Sequence, residues 1–378
     1  MTLGVGTITS DAVVERLFVT KLDRLILCFF VGPRHTNEAL LVHPLTGTFN
    51  SFELPPEKYF REANDKYQAA RQRAPADPHT TQPALDELLT DATTMLRLVL
   101  DFIENSIPTC GLTIVPRMQL TAVPFHALPV ADKRLIDIVA DITYAPSLGI
   151  ITEQTAMGPW PDQDAGVTML ESTATPAFIG AARQIAAARS LRSTLDPPPA
   201  KAISAIAATE GADILIGCHG TFSAGRPYES TLKVRRGEPL TVAELAGSLA
   251  LPKSRCLLLA ACESGVVRST VGGEYLGFGG TLLSAGVRSV IASNWQVNPF
   301  PTAILLGHFL SALTAGHRPA STLKAAQRAV RAMTKHDAAS WVETYLPEFA
   351  AEGVLSALSD APFAHPDNWA GFFAAGCH

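Results

Sequence analysis

Two side chains in this sequence are placed to do nucleophilic chemistry together. His219 closes the apolar run Ile214-Leu215-Ile216-Gly217-Cys218-His219-Gly220. Cys262 closes a second run, Cys256-Leu257-Leu258-Leu259-Ala260-Ala261-Cys262, and is followed by Glu263-Ser264-Gly265. A free thiol has a pKa of about 8.5, so little of it is thiolate at neutral pH. An imidazole within reach takes that proton or holds the thiolate as an ion pair. The pair then forms a nucleophile and its base.

The elements that must position them are two strands. Both runs are short, apolar and bounded by turn residues, as strands buried on both faces of a parallel sheet are. In open parallel sheets functional groups collect at the carboxyl ends of the strands. If the two strands are neighbours, His219 and Cys262 emerge side by side. Taken alone, a cysteine ending an apolar run is commonly a buried core thiol. Cys218 and Cys256, inside the strands, are read that way.

Further short apolar segments fall at Leu112–Val115, Val167–Leu170, Ala177–Ile179 and Val287–Ala292. Helical patterns lie between several of them, including Ile203–Ala208 and Tyr275–Leu283. Two more helices are expected over Thr302–Leu313 and Ser321–Met333, and an edge strand over Trp369–Ala374. This alternation predicts an α/β domain with a mainly parallel sheet over residues 109–378. Residues 1–53 read as β, a small three-stranded meander in which Pro44 ends one strand and Thr46-Gly47 turns into the next. Residues 57–105 turn helical. Leu85, Leu88, Leu89, Ala92, Leu96, Val99 and Ile103 recur at three- and four-residue steps, one amphipathic helix preceded by the Pro-containing linker 77–83. Residues 1–108 are thus expected to pack on, or extend, the core of 109–378.

The 378 residues are 47% hydrophobic and only 17% charged, the balance of a core-rich globular chain. The net charge of −5, without a long basic run, argues against a nucleic-acid partner. No apolar stretch approaches the roughly 20 residues of a membrane span, and residues 1–10 lack the features of a secretory signal. Six scattered cysteines without a CxxC pair speak against zinc and thioredoxin chemistry and suit a reduced, cytoplasmic setting. The glycines at 272, 273, 277, 279 and 280 match no phosphate-binding loop, so a nucleotide-binding protein is disfavoured. Ser264 lies outside any GxSxG elbow. No metal or organic cofactor is expected.

The ordered set of segments resembles the CHAT domain of the caspase-like cysteine peptidases (clan CD). The resemblance rests on the His219-Gly220 strand and the Ala261-Cys262-Glu263-Ser264-Gly265 strand. Around them stand Ile114-Val115-Pro116, Val123-Pro124-Phe125-His126-Ala127-Leu128-Pro129 and Tyr144-Ala145-Pro146-Ser147-Leu148. Gly272-Gly273-Glu274, Ala285-Gly286-Val287-Arg288-Ser289-Val290 and Trp295 follow, and His365-Pro366, Trp369-Ala370 and Phe372 close the set. It implies a caspase-like α/β/α sandwich with Cys262 as nucleophile and His219 as general base. The backbone N–H groups of Gly220 and Cys262 are then the oxyanion donors, and Ser293, Asn294 and Trp295 line the substrate pocket. It also implies a protein substrate, a separate regulatory or sensor protein, and a role in bacterial defence or regulated cell death. The rival reading is a catalytically silent scaffold of the same fold. His126 and His365 lie in the shared motifs but are read as structural, and Cys377-His378 as a frayed end.

Two features depart from the resemblance. The run Asn294-Trp295-Gln296-Val297-Asn298-Pro299-Phe300 contains no acid, whereas relatives carry one near this point for a basic P1 side chain. A cation there would lack its countercharge, so an uncharged P1 residue is expected. The segment 222–241 carries Arg226, Lys233, Arg235 and Arg236 against Glu229 and Glu238. It reads as a solvated hairpin, with recognition of an acidic partner or activation cleavage as the alternatives.

Overall fold

The computed structural model describes residues 10–31, 37–56, 58–74, 77–106, 110–157, 167–171, 181, 184, 191–195, 197–207, 213–221, 223, 226, 229–235, 238–248, 255–261, 268–269, 275–276, 278–313, 318–347 and 358–376. Its strands are β1 (Leu25–Val31), β2 (Asn37–His43), β3 (Thr48–Leu54), β4 (Leu112–Val115), β5 (Pro129–Val130), β6 (Lys133–Arg134), β7 (Ile142–Tyr144), β8 (Val167–Glu171) and β9 (Leu191–Leu195). They continue with β10 (Asp213–Gly217), β11 (His219–Thr221), β12 (Thr231–Arg235), β13 (Glu238–Thr241), β14 (Cys256–Ala260), β15 (Arg268–Ser269), β16 (Tyr275–Leu276), β17 (Ser289–Ser293) and β18 (Phe372–Ala375). Eleven of them form one sheet in the order β3-β2-β1-β4-β7-β18-β17-β14-β10-β8-β9.

The sheet has two blocks of opposite direction. β1, β4, β7 and β18 pair parallel to one another. So do β17, β14, β10, β8 and β9. The blocks meet where β18 pairs antiparallel with β17. The amino ends of the first block therefore share an edge with the carboxyl ends of the second.

Alternation across the pleat builds a core on each face. Leu215, Cys256, Leu258, Ala260 and Ile291 join one cluster, which takes in Leu88 and Ala92 of helix Pro78–Met95 and Phe309 of helix Pro299–Ala312. Ile214, Ile216, Leu257, Leu259, Val290 and Ala292 join the other, with Ala202 of helix Pro199–Ala207, Leu245 of helix Val242–Ser248 and Leu282 of helix Phe278–Ser284. The result is a helix–sheet–helix sandwich. Both faces of the central strands are covered, which is why their sequences are continuously apolar.

Several local expectations are corrected. Residues 10–18, read as β, form a helix whose Val14 and Leu17 pack on Ile26, Leu40 and Val42. The segment 77–83 is no linker. Asp77 caps a helix by accepting from the His79 N–H, and Pro78 occupies its first turn, where a missing N–H costs nothing. The single helix expected through Ile103 is two, Pro78–Met95 and Arg97–Ser106, with Leu96 between them outside helical geometry. Tyr275–Leu276 pairs as a strand, and the helix starts at Phe278. The expected edge strand at the C-terminal end is β18, and it lies in the middle of the sheet. The strand expected at 177–179 lies outside the described residues.

Candidate active site

The site is built from where β10 and β14 end. Their register is Asp213↔Cys256 through Gly217↔Ala260. A buried ion pair fixes the opposite end: Arg255 donates through Nε to Asp213 Oδ1 at 2.8 Å, and a second guanidinium N–H reaches Oδ2. At the carboxyl end the Cys218 N–H reaches the Ala260 carbonyl at 3.4 Å. Cys218 thus stands level with Ala261, the residue before Cys262, and His219 follows it out of the sheet. Cys262 itself, with 263–267, lies outside the described residues.

His219 is exposed and pairs across the β11–β12 ladder with Lys233. Gly220 is half-buried opposite Leu232. The charged segment expected as a hairpin is one: β12 and β13 pair antiparallel. Leu232, Val234 and Leu240 are buried inward, while Arg235 pairs with Glu238 on the exposed side. Arg226 pairs with Glu229.

On the other side of β14, Ser293 is fully buried, and its hydroxyl donates to the Ala261 carbonyl at 2.9 Å. Ser293 thereby fixes the peptide that leads into Cys262. Asn294 is half-buried, and its N–H donates to the Gly371 carbonyl at 2.9 Å. It borders an apolar groove with Gly279, Gly280, Tyr144, Pro146 and Phe373. Trp295 is buried, edge-on to Tyr67 at 6.1 Å, with the Arg71 guanidinium 4.9 Å from its ring centroid. Arg71 is ion-paired with Asp367, which also accepts from the Thr81 hydroxyl. Sequence reasoning missed this clamp. Its only signal was Asp367, inside the His365–Phe372 segment.

The other histidines and thiols occupy different environments. His126 sits between the Tyr144 hydroxyl and the Ala370 carbonyl, each 3.0 Å from a ring nitrogen. Burial lowers its pKa to about 4, so it is neutral, donating from Nε2 and accepting at Nδ1. His365 is paired with Asp86. Cys218 and Cys256 are buried. Burial, and next the Asp213 carboxylate, push the Cys256 thiol well up, and burial pushes Cys28 up to about 12. These are inert thiols, as expected for core cysteines. No described helix is long and apolar enough to cross a membrane.

Comparison with known proteins places this geometry. The model of the CHAT domain family matches residues 81–377. The chain belongs to the CHAT domain family. No curated protein matches it. Among solved structures, Saccharomyces cerevisiae separase in complex with securin superposes with a TM-score of 0.62 at 10% identity. That match covers 98% of this CHAT chain and 31% of separase. A second structure of the same complex gives 0.60 at 10% identity, over 97% and 30%. The Arg-specific cysteine proteinase gingipain R gives 0.47 at 13%, over 85% and 75%. The CHAT chain thus spans less than a third of the separase chains it matches. It has the caspase-like α/β fold.

Proposed function

We propose that this CHAT protein is a cysteine endopeptidase that cleaves a protein substrate with Cys262 as nucleophile and His219 as general base. The observation that carries the reading is the β10–β14 register, which sets Cys218 level with Ala261, the residues that come just before His219 and Cys262 in the sequence. His219 takes the thiol proton, and the thiolate adds to the scissile carbonyl. The oxyanion is met by the N–H groups of Gly220 and Cys262, a kind of donor whose removal costs on the order of 10²–10³ in rate. The imidazolium then protonates the leaving amine, and water attacks the thioester with His219 again as base. Ser293 acts as a positioning residue through the Ala261 carbonyl. Asn294 on the apolar groove, with no acid from 294 to 300, supports an uncharged P1 residue. Separase is held in complex with securin, and a protein partner is proposed to govern this chain too, in a bacterial defence or cell-death setting.

An electrophilic peptide probe tests the dyad. The wild-type protein should bind one equivalent covalently and the Cys262→Ala protein none. His219→Ala should slow labelling by about 10²–10⁴. Equal labelling of wild type and Cys262→Ala would defeat the proposal and favour a silent scaffold. Cleavage-site profiling should give sites mainly after uncharged residues.

A further inference from the structure

Asp23, His43 and Cys110 close one end of three neighbouring strands. The β1–β2 register, with Ile26 opposite Val42, sets His43 beside Leu25. The β1–β4 register, with Leu25 opposite Leu112, sets Cys110 beside Asp23. Backbone bonds hold this end: Leu25 N–H to Gly111 O at 2.8 Å, Leu45 N–H to Leu22 O at 3.1 Å, and Ala140 N–H to Cys110 O at 3.1 Å. The three side chains come from segments far apart in sequence, and the topology brings them to one point.

Their geometry separates two chemistries. Cys110 Sγ lies 3.9 Å from His43 Nε2, and Asp23 Oδ1 lies 3.8 Å from the same nitrogen. All three atoms fall within 4.8 Å of one another. A nucleophile–base–acid relay needs the thiol and the carboxylate on opposite ring nitrogens. Here both converge on one, as ligands around a shared ion do. With Zn–S about 2.3 Å and Zn–N about 2.0–2.1 Å, ligand atoms of a tetrahedral site stand on the order of 3.4–3.6 Å apart. The two distances to the nitrogen need a few tenths of an ångström of closure, and the sulfur–carboxylate pair needs at most about 1.2 Å.

We infer that Asp23, His43 and Cys110 form a zinc-binding site, with water in the fourth position. One thiolate, one carboxylate and one neutral imidazole balance the charge of Zn²⁺, and this donor set suits zinc. Binding forms the S–Zn bond and releases the thiol proton to solvent. Asp23 is 78% exposed, which gives the ion a path from solvent. His43 Nδ1 carries the ring proton in the liganded form and has no partner among the described residues. Such missing outer support typically costs 10–100-fold in affinity, so micromolar rather than tighter binding is expected. The site lies on the sheet edge from which His219 emerges. Four strand spacings, roughly 19 Å at about 4.8 Å each, separate Cys110's strand β4 from β14. Bound zinc would tie β1, β2 and β4 together at that edge.

The test uses the full chain carrying Cys262→Ala, so that the proposed nucleophile cannot take up metal. Titration with Zn²⁺ should show one equivalent bound and a rise in melting temperature. Titration with Co²⁺ should add a near-ultraviolet thiolate-to-cobalt band. Adding Cys110→Ser should abolish the band. Adding Asp23→Asn, an exposed change that leaves folding alone, should weaken zinc at least tenfold. Failure of the Cys262→Ala chain to bind Zn²⁺ at 100 μM, or binding unchanged by both variants, overturns the site. Neither result bears on the peptidase proposal.

Discussion

His126 shows how one buried residue can organise a neighbourhood without touching chemistry. Its ring joins Tyr144, at the end of β7, to the Ala370 carbonyl just before β18. Burial holds its pKa at about 4 against 6.5 for a free imidazole. Between those values the unfolded chain binds a proton that the folded chain refuses. The contribution of His126 to stability is therefore complete above about pH 6.5 and is lost as pH falls toward 4. By pH 5 the loss is on the order of 2 kcal/mol. Urea midpoints at pH 7 and pH 5 should differ accordingly. His126→Gln, which keeps a donor and an acceptor but does not titrate, should shrink that difference even if it lowers both midpoints. An unchanged pH dependence would show that other groups dominate. The sequence alone makes His126 structural, since it lies in a shared motif without a partner for chemistry. Its partners were not legible, because they come from residues 18 and 244 positions away.

At the scale of elements, the legible parts were those whose local pattern has one physical solution. β10, β14 and β17 are unbroken apolar runs because both faces are covered, and all three were read as strands. The helix at 10–18 was missed because its stripe is short, and its partners Ile26, Leu40 and Val42 arrive only with the sheet. The start of the 78–95 helix was missed because proline and polar residues signal a linker unless the capping geometry is seen. The pairing of β10 with β14 carries a test of its own. Asp213 and Arg255 are almost wholly buried where these strands begin. Breaking a buried pair by removing one partner typically costs about 3–5 kcal/mol, since the other charge stays buried. Asp213→Ala should therefore lower the chemical-denaturation midpoint by that order. Asp213→Leu with Arg255→Met, which removes both charges, should recover most of it. If the double variant is as unstable as the single one, the pair's value is hydrogen bonding to further groups rather than charge balance.

At the scale of the whole molecule, the strand order could not be read from the sequence. The C-terminal strand looked like an edge because it is short and last. It is instead the seam between two blocks of opposite direction. That position also explains why the proposed site was only half legible. The His219 and Cys262 motifs are local to their strands, whereas Trp295 depends on Tyr67 and Arg71 from the N-terminal half and on Asp367 near the seam. The seam predicts one cooperative unit: with β18 hydrogen-bonded to both β7 and β17, neither block keeps a closed edge once it leaves. Amides of β1 and β10 should exchange with solvent through the same global opening. Gly371 is the place to perturb it. Its carbonyl accepts from Asn294, and an added Cβ would stand 2.5 Å from Val297 Cγ1 and 3.2 Å from Trp295 Nε1. Gly371→Ala forces these side chains aside, at a cost on the order of 1–3 kcal/mol. Hydrogen exchange on that variant should show β1 and β10 losing protection together and by the same amount. Loss confined to β10, with β1 unchanged, would mean that the blocks fold independently and that β18 merely abuts them.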